Sequence, residues 1–193
     1  MIKKKINAFT LVEMLVVISV LGLVGVVMLT IFTRTLRGHN KAQILSVIKQ
    51  NGQAVLENMG NTIRNADSIL CPVNSSSNTL VINKGGIYTR YRLDTAKHSI
   101  ISDNPVKTNV QETDGDFIIE TCQPANLMTT ANVLTDTNDK TGVSVISGSF
   151  KSEKAPGFKD GVTIEFLLGP GVGAPQSVAG QIDNVNFKTT VQL

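Results

Sequence analysis

Cysteine and histidine are nearly missing from this chain. Two cysteines in 193 residues allow at most one bridge, which excludes a disulfide-dense scaffold and a four-cysteine zinc site. The two histidines, His39 and His98, have no acid or thiol beside them in a recognisable nucleophile motif. No catalytic residue, metal or cofactor is therefore assigned, and the chain is not read as an enzyme. Charged residues are only 17% and aromatics 5%, against 41% apolar residues, a composition that suits one domain with a real core. Strong basicity is lacking too. Lys3, Lys4 and Lys5 account for the whole net charge of +3, since removing them from the 18 basic residues leaves 15 against 15 acidic ones. Such a balance predicts no nucleic-acid partner. Proline is absent before Pro72, so nothing interrupts a helix in the first third of the chain.

What is there instead is a long apolar run. Phe9 to Thr33 holds twenty-five residues without a basic side chain and with one acid, Glu13. Roughly 20 helical residues cross a hydrocarbon layer of about 30 Å, and Met14 to Phe32 nearly supply them. A cleaved secretory signal would have an apolar region of only about 7 to 15 residues followed by a small-residue site. Basic residues flank both ends: Lys3, Lys4 and Lys5 precede the run, and Arg34, Arg37 and Lys41 follow it. Orientation by the positive-inside rule is thus close to a tie.

Past Thr33 the pattern becomes amphipathic. Apolar residues recur at Ile44, Ile48, Val55, Met59, Ile63, Ala66 and Leu70, in helical steps of three, four and seven, with polar residues between them. The two runs predict one helix from Phe9 to about Asp67, with Gly22, Gly25, Gly38, Gly52 and Gly60 read as helix-packing positions.

The start MIKKKINA followed by FTLVEMLVVISVLG resembles the class III signal of type IV prepilins and type II secretion pseudopilins. The resemblance covers about the first 30 residues. It implies cleavage by a prepilin peptidase between Ala8 and Phe9 and N-methylation of the new Phe9 amine. It also implies an N-terminus that begins in the cytoplasm, a single pass through the inner membrane, and assembly with other pilin or pseudopilin subunits on an inner-membrane platform. The filament would then be extracytoplasmic or at the cell surface. Two departures stand out: Ala8 replaces the glycine usual before the cut, and Thr30 stands where many major pilins carry a proline.

Glu13 becomes the fifth mature residue in this reading. A carboxylate in an apolar span costs several kcal/mol unless paired, so such residues are functional by default. The ammonium freed at Phe9 of a neighbouring subunit would pair with it and set filament register. The alternative is an acid near the headgroups that favours the positive end of its own helix.

Downstream the period changes to two. Thr79–Asn83, Ile87–Leu93, His98–Ser102, Asp116–Cys122, Val143–Phe150, Val162–Leu168 and Ile182–Gln192 read as strands, with hairpin turns at Lys84 to Gly86 and Asp94 to Lys97. The expected fold is α+β, a long N-terminal helix with a transmembrane half and an amphipathic half packed on an antiparallel sheet. That is also the pilin and pseudopilin fold. The order of motifs in this half weakly resembles J-type minor pseudopilins. The domain reading is a leader at 1–8, a span or filament-core helix at 9–33, its amphipathic continuation at 34–70, and a β-rich domain at 71–193. Cys71 and Cys122, both beyond the span, are expected to form a disulfide, with two buried thiols as the alternative.

Three segments invite other chemistry. Asp136 to Gly142 begins like a calcium loop, but Lys140 and Thr141 stand at positions that need a ligand and a glycine, so a solvated turn is expected. Gly169 to Gly180 contains a GxG flanked by prolines and reads as a loop or a subunit contact. Arg90 and Arg92 lie near Tyr88 and Tyr91 on a strand, a possible base-stacking face that the neutral charge balance argues against. The expected function is a structural filament subunit, a minor pilin or pseudopilin. The alternative is a single-pass anchor presenting an extracytoplasmic binding domain that never polymerises.

Overall fold

A computed structural model describes residues 10–73, 75–106, 117, 120–123, 131–153, 159–174 and 182–193. Among the described residues a long helix, α1, runs from Leu11 to Arg64, followed by the strands β1 (Ser68–Cys71), β2 (Ser76–Ser77), β3 (Thr79–Lys84), β4 (Ile87–Asp94), β5 (Ser99–Asp103), β6 (Asn132–Val133), β7 (Val143–Glu153), β8 (Gly161–Pro170) and β9 (Val185–Gln192). They form two antiparallel sheets, β1-β3-β4-β5-β6 and β2-β7-β8-β9. The chain divides into two compact units, residues 1–42 and residues 43–193.

Within the second unit, α1 buries Ile48, Gly52, Val55, Met59, Gly60 and Ile63. These steps of four, three, four, one and three keep every buried residue on one face. That face joins Leu80, Ile82, Leu93 and Ile100 of the first sheet and Phe150, Ile164, Phe166 and Phe187 of the second in a single core. The helix is thus packed on antiparallel sheets in a pilin-like α+β arrangement. Gly52 is where helix and sheet meet most closely, for a Cβ there would overlap the Phe187 ring. Phe187 in turn stacks on Phe166 at 5.3 Å. The packing role expected of the glycines therefore holds for Gly52, whereas Gly22, Gly25 and Gly38 face open space.

The strand pattern follows local chemistry. Gly85 and Gly86 take positive φ of 57° and 84° between the paired Lys84 and Ile87, as a two-residue hairpin with a right-handed strand twist requires. Tyr91 of β4 points to α1, its hydroxyl 2.9 Å from Thr62 Oγ1 and 3.2 Å from Asn58 Oδ1. Burial pushes the Tyr91 phenol up, partly offset by the Thr62 hydrogen bond.

Three sequence expectations are corrected. Asp116–Cys122 was expected as a strand, but its described residues, Phe117 and Glu120–Cys122, are helical. Phe117 and Thr121 are both buried and one helical turn apart, a spacing masked in the sequence by a short apolar run that periodicity cannot resolve. The helix ends at Arg64 rather than near Asp67, and Leu70 lies in β1. The Asp67 N–H donates to Asn83 O at 2.8 Å and draws the chain into the first sheet. His98 is a turn residue with φ of 53°, not the first residue of a strand.

Gly52→Ala should lower the urea unfolding midpoint of the detergent-solubilised chain, with a net cost of about 1–3 kcal/mol from overpacking against Phe187. Ala is the better helix former by about 1 kcal/mol, so an unchanged or raised midpoint would contradict this packing.

Candidate functional site: the apolar helix and its tethered domain

From Leu11 to Phe32 the first unit of α1 exposes apolar side chains on every side, from Leu11 at 81% to Phe32 at 60%. An 18-residue window of the helix has mean hydropathy 2.9 and no buried share. Length and composition suffice to cross a bilayer. The few polar side chains inside the run satisfy themselves. Ser19 Oγ donates to Leu15 O at 2.8 Å and Thr30 Oγ1 to Val26 O at 2.8 Å, and the Thr33 hydroxyl donates to Leu29 O at 3.0 Å. Bonding back one turn removes the cost of a bare hydroxyl in hydrocarbon. At Thr30 the helix is unbroken.

Glu13 opens this helix. Its N–H donates to Thr10 Oγ1 at 3.3 Å while the Thr10 N–H approaches Glu13 Oε2 at 3.5 Å, the reciprocal arrangement of a capping box. In a single chain, then, Glu13 serves its own helix N-terminus and is exposed. Ala8 and Phe9 lie outside the described residues.

In the second unit, a disulfide joins Cys71 at the end of β1 to Cys122, with an S–S distance of 2.06 Å across 51 residues of sequence. A closure of that size stabilises by on the order of 4 kcal/mol in the chain-entropy account. Beside it lies a contact that sequence reading missed. Arg90 of β4 holds Asp103 of β5 in a two-pronged ion pair at 2.9 and 2.6 Å, and its Nη1 reaches Thr121 O at 3.4 Å. Both side chains are buried. Tyr88, two residues before Arg90, packs on Phe117 with ring centroids 4.9 Å apart. Disulfide, ion pair and ring contact together fix the 117–122 region to the first sheet. A legible signal existed: counting outward from the Asp94–Ser99 pair at the turn sets Arg90 opposite Asp103.

The other sequence candidates fall elsewhere. Arg90 and Tyr91 are buried, so they do not form an open stacking face. In the 136–142 turn, Asp136 Oδ1 accepts the Asn138 N–H and Asn138 Oδ1 accepts those of Lys140 and Thr141. Those oxygens organise the loop itself. Gly171 N and Gly173 N donate to Gly142 O and Asp139 O, tying the start of the glycine-rich segment to the same loop; residues 175–180 lie outside the described residues. His39 is exposed on α1, and His98 Nδ1 lies 3.4 Å from Val145 O. Among the described residues no three of His, Cys, Asp and Glu converge on a metal position. A shallow groove of about 410 Å³ on the second sheet is lined by Ser147, Ser149, Glu165 and Asn186. Its one carboxylate, Glu165, is held below the usual range by hydrogen bonds from Lys188 and Asn186.

Residues 3–29 match the prokaryotic N-terminal methylation motif. No curated protein and no solved structure matches the chain. The match spans the basic leader, the Thr10–Glu13 cap and the apolar run to Leu29. The chain thus carries a class III N-methylation (prepilin) motif over residues 3–29, on a pilin-like α+β fold. The motif implies processing by a prepilin peptidase, and with the apolar helix it points to membrane anchoring followed by extracytoplasmic assembly.

Removing one partner of the buried ion pair leaves the other charge unmatched. Arg90→Met should therefore cost about 3–5 kcal/mol in chemical unfolding, whereas Arg90→Met with Asp103→Leu should recover most of it. A double variant as unstable as the single one would mean that the pair is not what holds this corner together.

Proposed function

We propose that the chain is a structural filament subunit, a minor pilin or pseudopilin of a type IV pilus, type II secretion or competence system. The observation that carries this reading is an exposed apolar helix bearing the methylation motif at residues 3–29 and continuing into a separately packed β-sheet domain. The mechanism is assembly. A prepilin peptidase cuts between Ala8 and Phe9 and methylates the Phe9 amine; the subunit waits in the inner membrane with its domain outside. An assembly platform then moves the helix from lipid into a bundle of like helices. The apolar surface of the span supports both stages, because lipid tails and neighbouring helices are equally apolar surroundings.

Glu13 discriminates between the stages. In the single subunit it caps its own helix through Thr10. In the filament it pairs with the Phe9 ammonium of a neighbour, which sets the register of one helix against the next. The preference for a minor subunit rests on Ala8 before the cut and on the weak resemblance of the β-rich half to J-type pseudopilins. The competing reading, an unpolymerised anchor, shares the span but gives Glu13 no partner.

Glu13→Ala should leave insertion and leader removal intact, with intact mass showing loss of residues 1–8, and should abolish co-purification with sheared filaments. Its cap is worth only about 1 kcal/mol, whereas an unpaired charge in an apolar bundle costs several. Entry into filaments at the wild-type level would reject the register role. A mature chain that still carries Lys3 to Lys5 would reject processing.

A further inference from the structure

The carboxyl end of the span carries a feature to which the proposed function assigns no role. Arg34, Arg37 and Lys41 follow Phe32 at spacings of three and four and are all exposed. Residues at these spacings are neighbours on one helix face, where like charges repel. Nothing in the surrounding sequence relieves that repulsion, since no acid occurs between Glu13 and Glu57. None of the three makes an ion pair among the described residues.

Their depth is set by the span. Met14 to Phe32 fill about 28 Å of hydrocarbon at about 1.5 Å per residue. Arg34 then lies about 3 Å beyond it, within the headgroup layer, Arg37 about 8 Å beyond, at the outer edge of that layer, and Lys41 about 14 Å beyond. In a helix every Cα–Cβ bond leans toward the N-terminus, which here is toward the membrane, a tilt that favours long side chains reaching back toward the lipid surface. Loss of the leader would leave these cations as the only basic cluster flanking the span, on the side where positive charge is disfavoured by the usual loop bias.

We propose that Arg34, Arg37 and Lys41 form a binding surface for anionic phospholipid headgroups in the outer leaflet of the inner membrane. The phosphates lie between the cations, relieve their repulsion and hold the stored subunit at a defined depth. This rests on the membrane-anchored stage of the proposed function and names its lipid partner. The occupant follows from the all-basic stripe and its continuity with the lipid-crossing surface; an acidic face of a protein neighbour would meet the same charges without needing this depth.

The chain lacks tryptophan, so Phe32→Trp introduces a lone reporter at the headgroup boundary. The full chain carrying it is reconstituted in bilayers of phosphatidylcholine and phosphatidylglycerol, with one or the other brominated as quencher. Each basic residue near an anionic surface is worth about a fivefold preference, so brominated phosphatidylglycerol should be enriched at the reporter at least about fivefold over brominated phosphatidylcholine. Arg34→Gln, Arg37→Gln and Lys41→Gln together should bring the ratio to about one, and Arg34→Lys with Arg37→Lys should keep it. No lipid preference in the reporter protein overturns the proposal, as does a preference that survives the triple change. Loss of filament entry by the triple variant without any lipid preference also overturns it, in favour of a protein partner. Quenching by neither lipid would instead show that the span is outside the bilayer, and the membrane reading itself would fall.

Discussion

The face of α1 formed by Ile48, Val55, Met59 and Ile63 is the contact on which the second unit depends. It supplies one side of a core whose other sides come from two separate sheets, so neither sheet is closed without it. A helix can fill that place only if its neighbours approach closely, and Gly52 under Phe187 is where the approach is tightest. Tyr91, Asn58 and Thr62 add a polar latch at the first sheet, and Asn51 Oδ1 accepts the Asp136 N–H at the loop beyond β6. Removing apolar area from water provides the drive, and these polar contacts fix the placement.

The same helix meets a different constraint before Ala42. Eighteen large apolar side chains from Leu11 to Leu36 are exposed there and must be covered by something. A bilayer covers them, and so does a bundle of like helices, because neither needs to offer partners to the span's hydroxyls, which bond back to its own carbonyls. Polar function is confined to the two ends, with Glu13 at one and the basic residues after Phe32 at the other.

Legibility in the sequence followed the strength of local signals. The apolar run, the leader, the helical face from Ile48 to Ile63 and most of the β-strands could be read because each is a period repeated over many residues. The Gly85–Gly86 turn was legible because the chemistry of a two-residue hairpin allows few residues. What escaped was non-local or short. Phe117 to Cys122 has too few residues to separate helix from strand, and the contact that anchors it, Arg90 Nη1 to Thr121 O, joins residues 31 apart in the chain. The division of the β half into two sheets also escaped, since alternation reports that a strand has a buried face but not which layer it faces. For the site, sequence reading singled out Glu13 but not its intramolecular cap, although Thr10-x-x-Glu13 ahead of an apolar run is the signature of a capping box.

The central claim is that the exposed span passes from lipid into a bundle of like spans. Cys71 and Cys122 occupy each other, so a cysteine introduced in the span provides the free thiol. A scan of single cysteine substitutions from Val16 to Val27, combined with one cysteine in the span of a co-assembled pilin-like subunit and oxidised in cells with a membrane-permeant reagent, reads helix–helix contact directly. The account predicts subunit-to-subunit adducts that peak every three to four residues and require the assembly platform. Adducts at no position, or a flat pattern identical in cells without the platform, would contradict it.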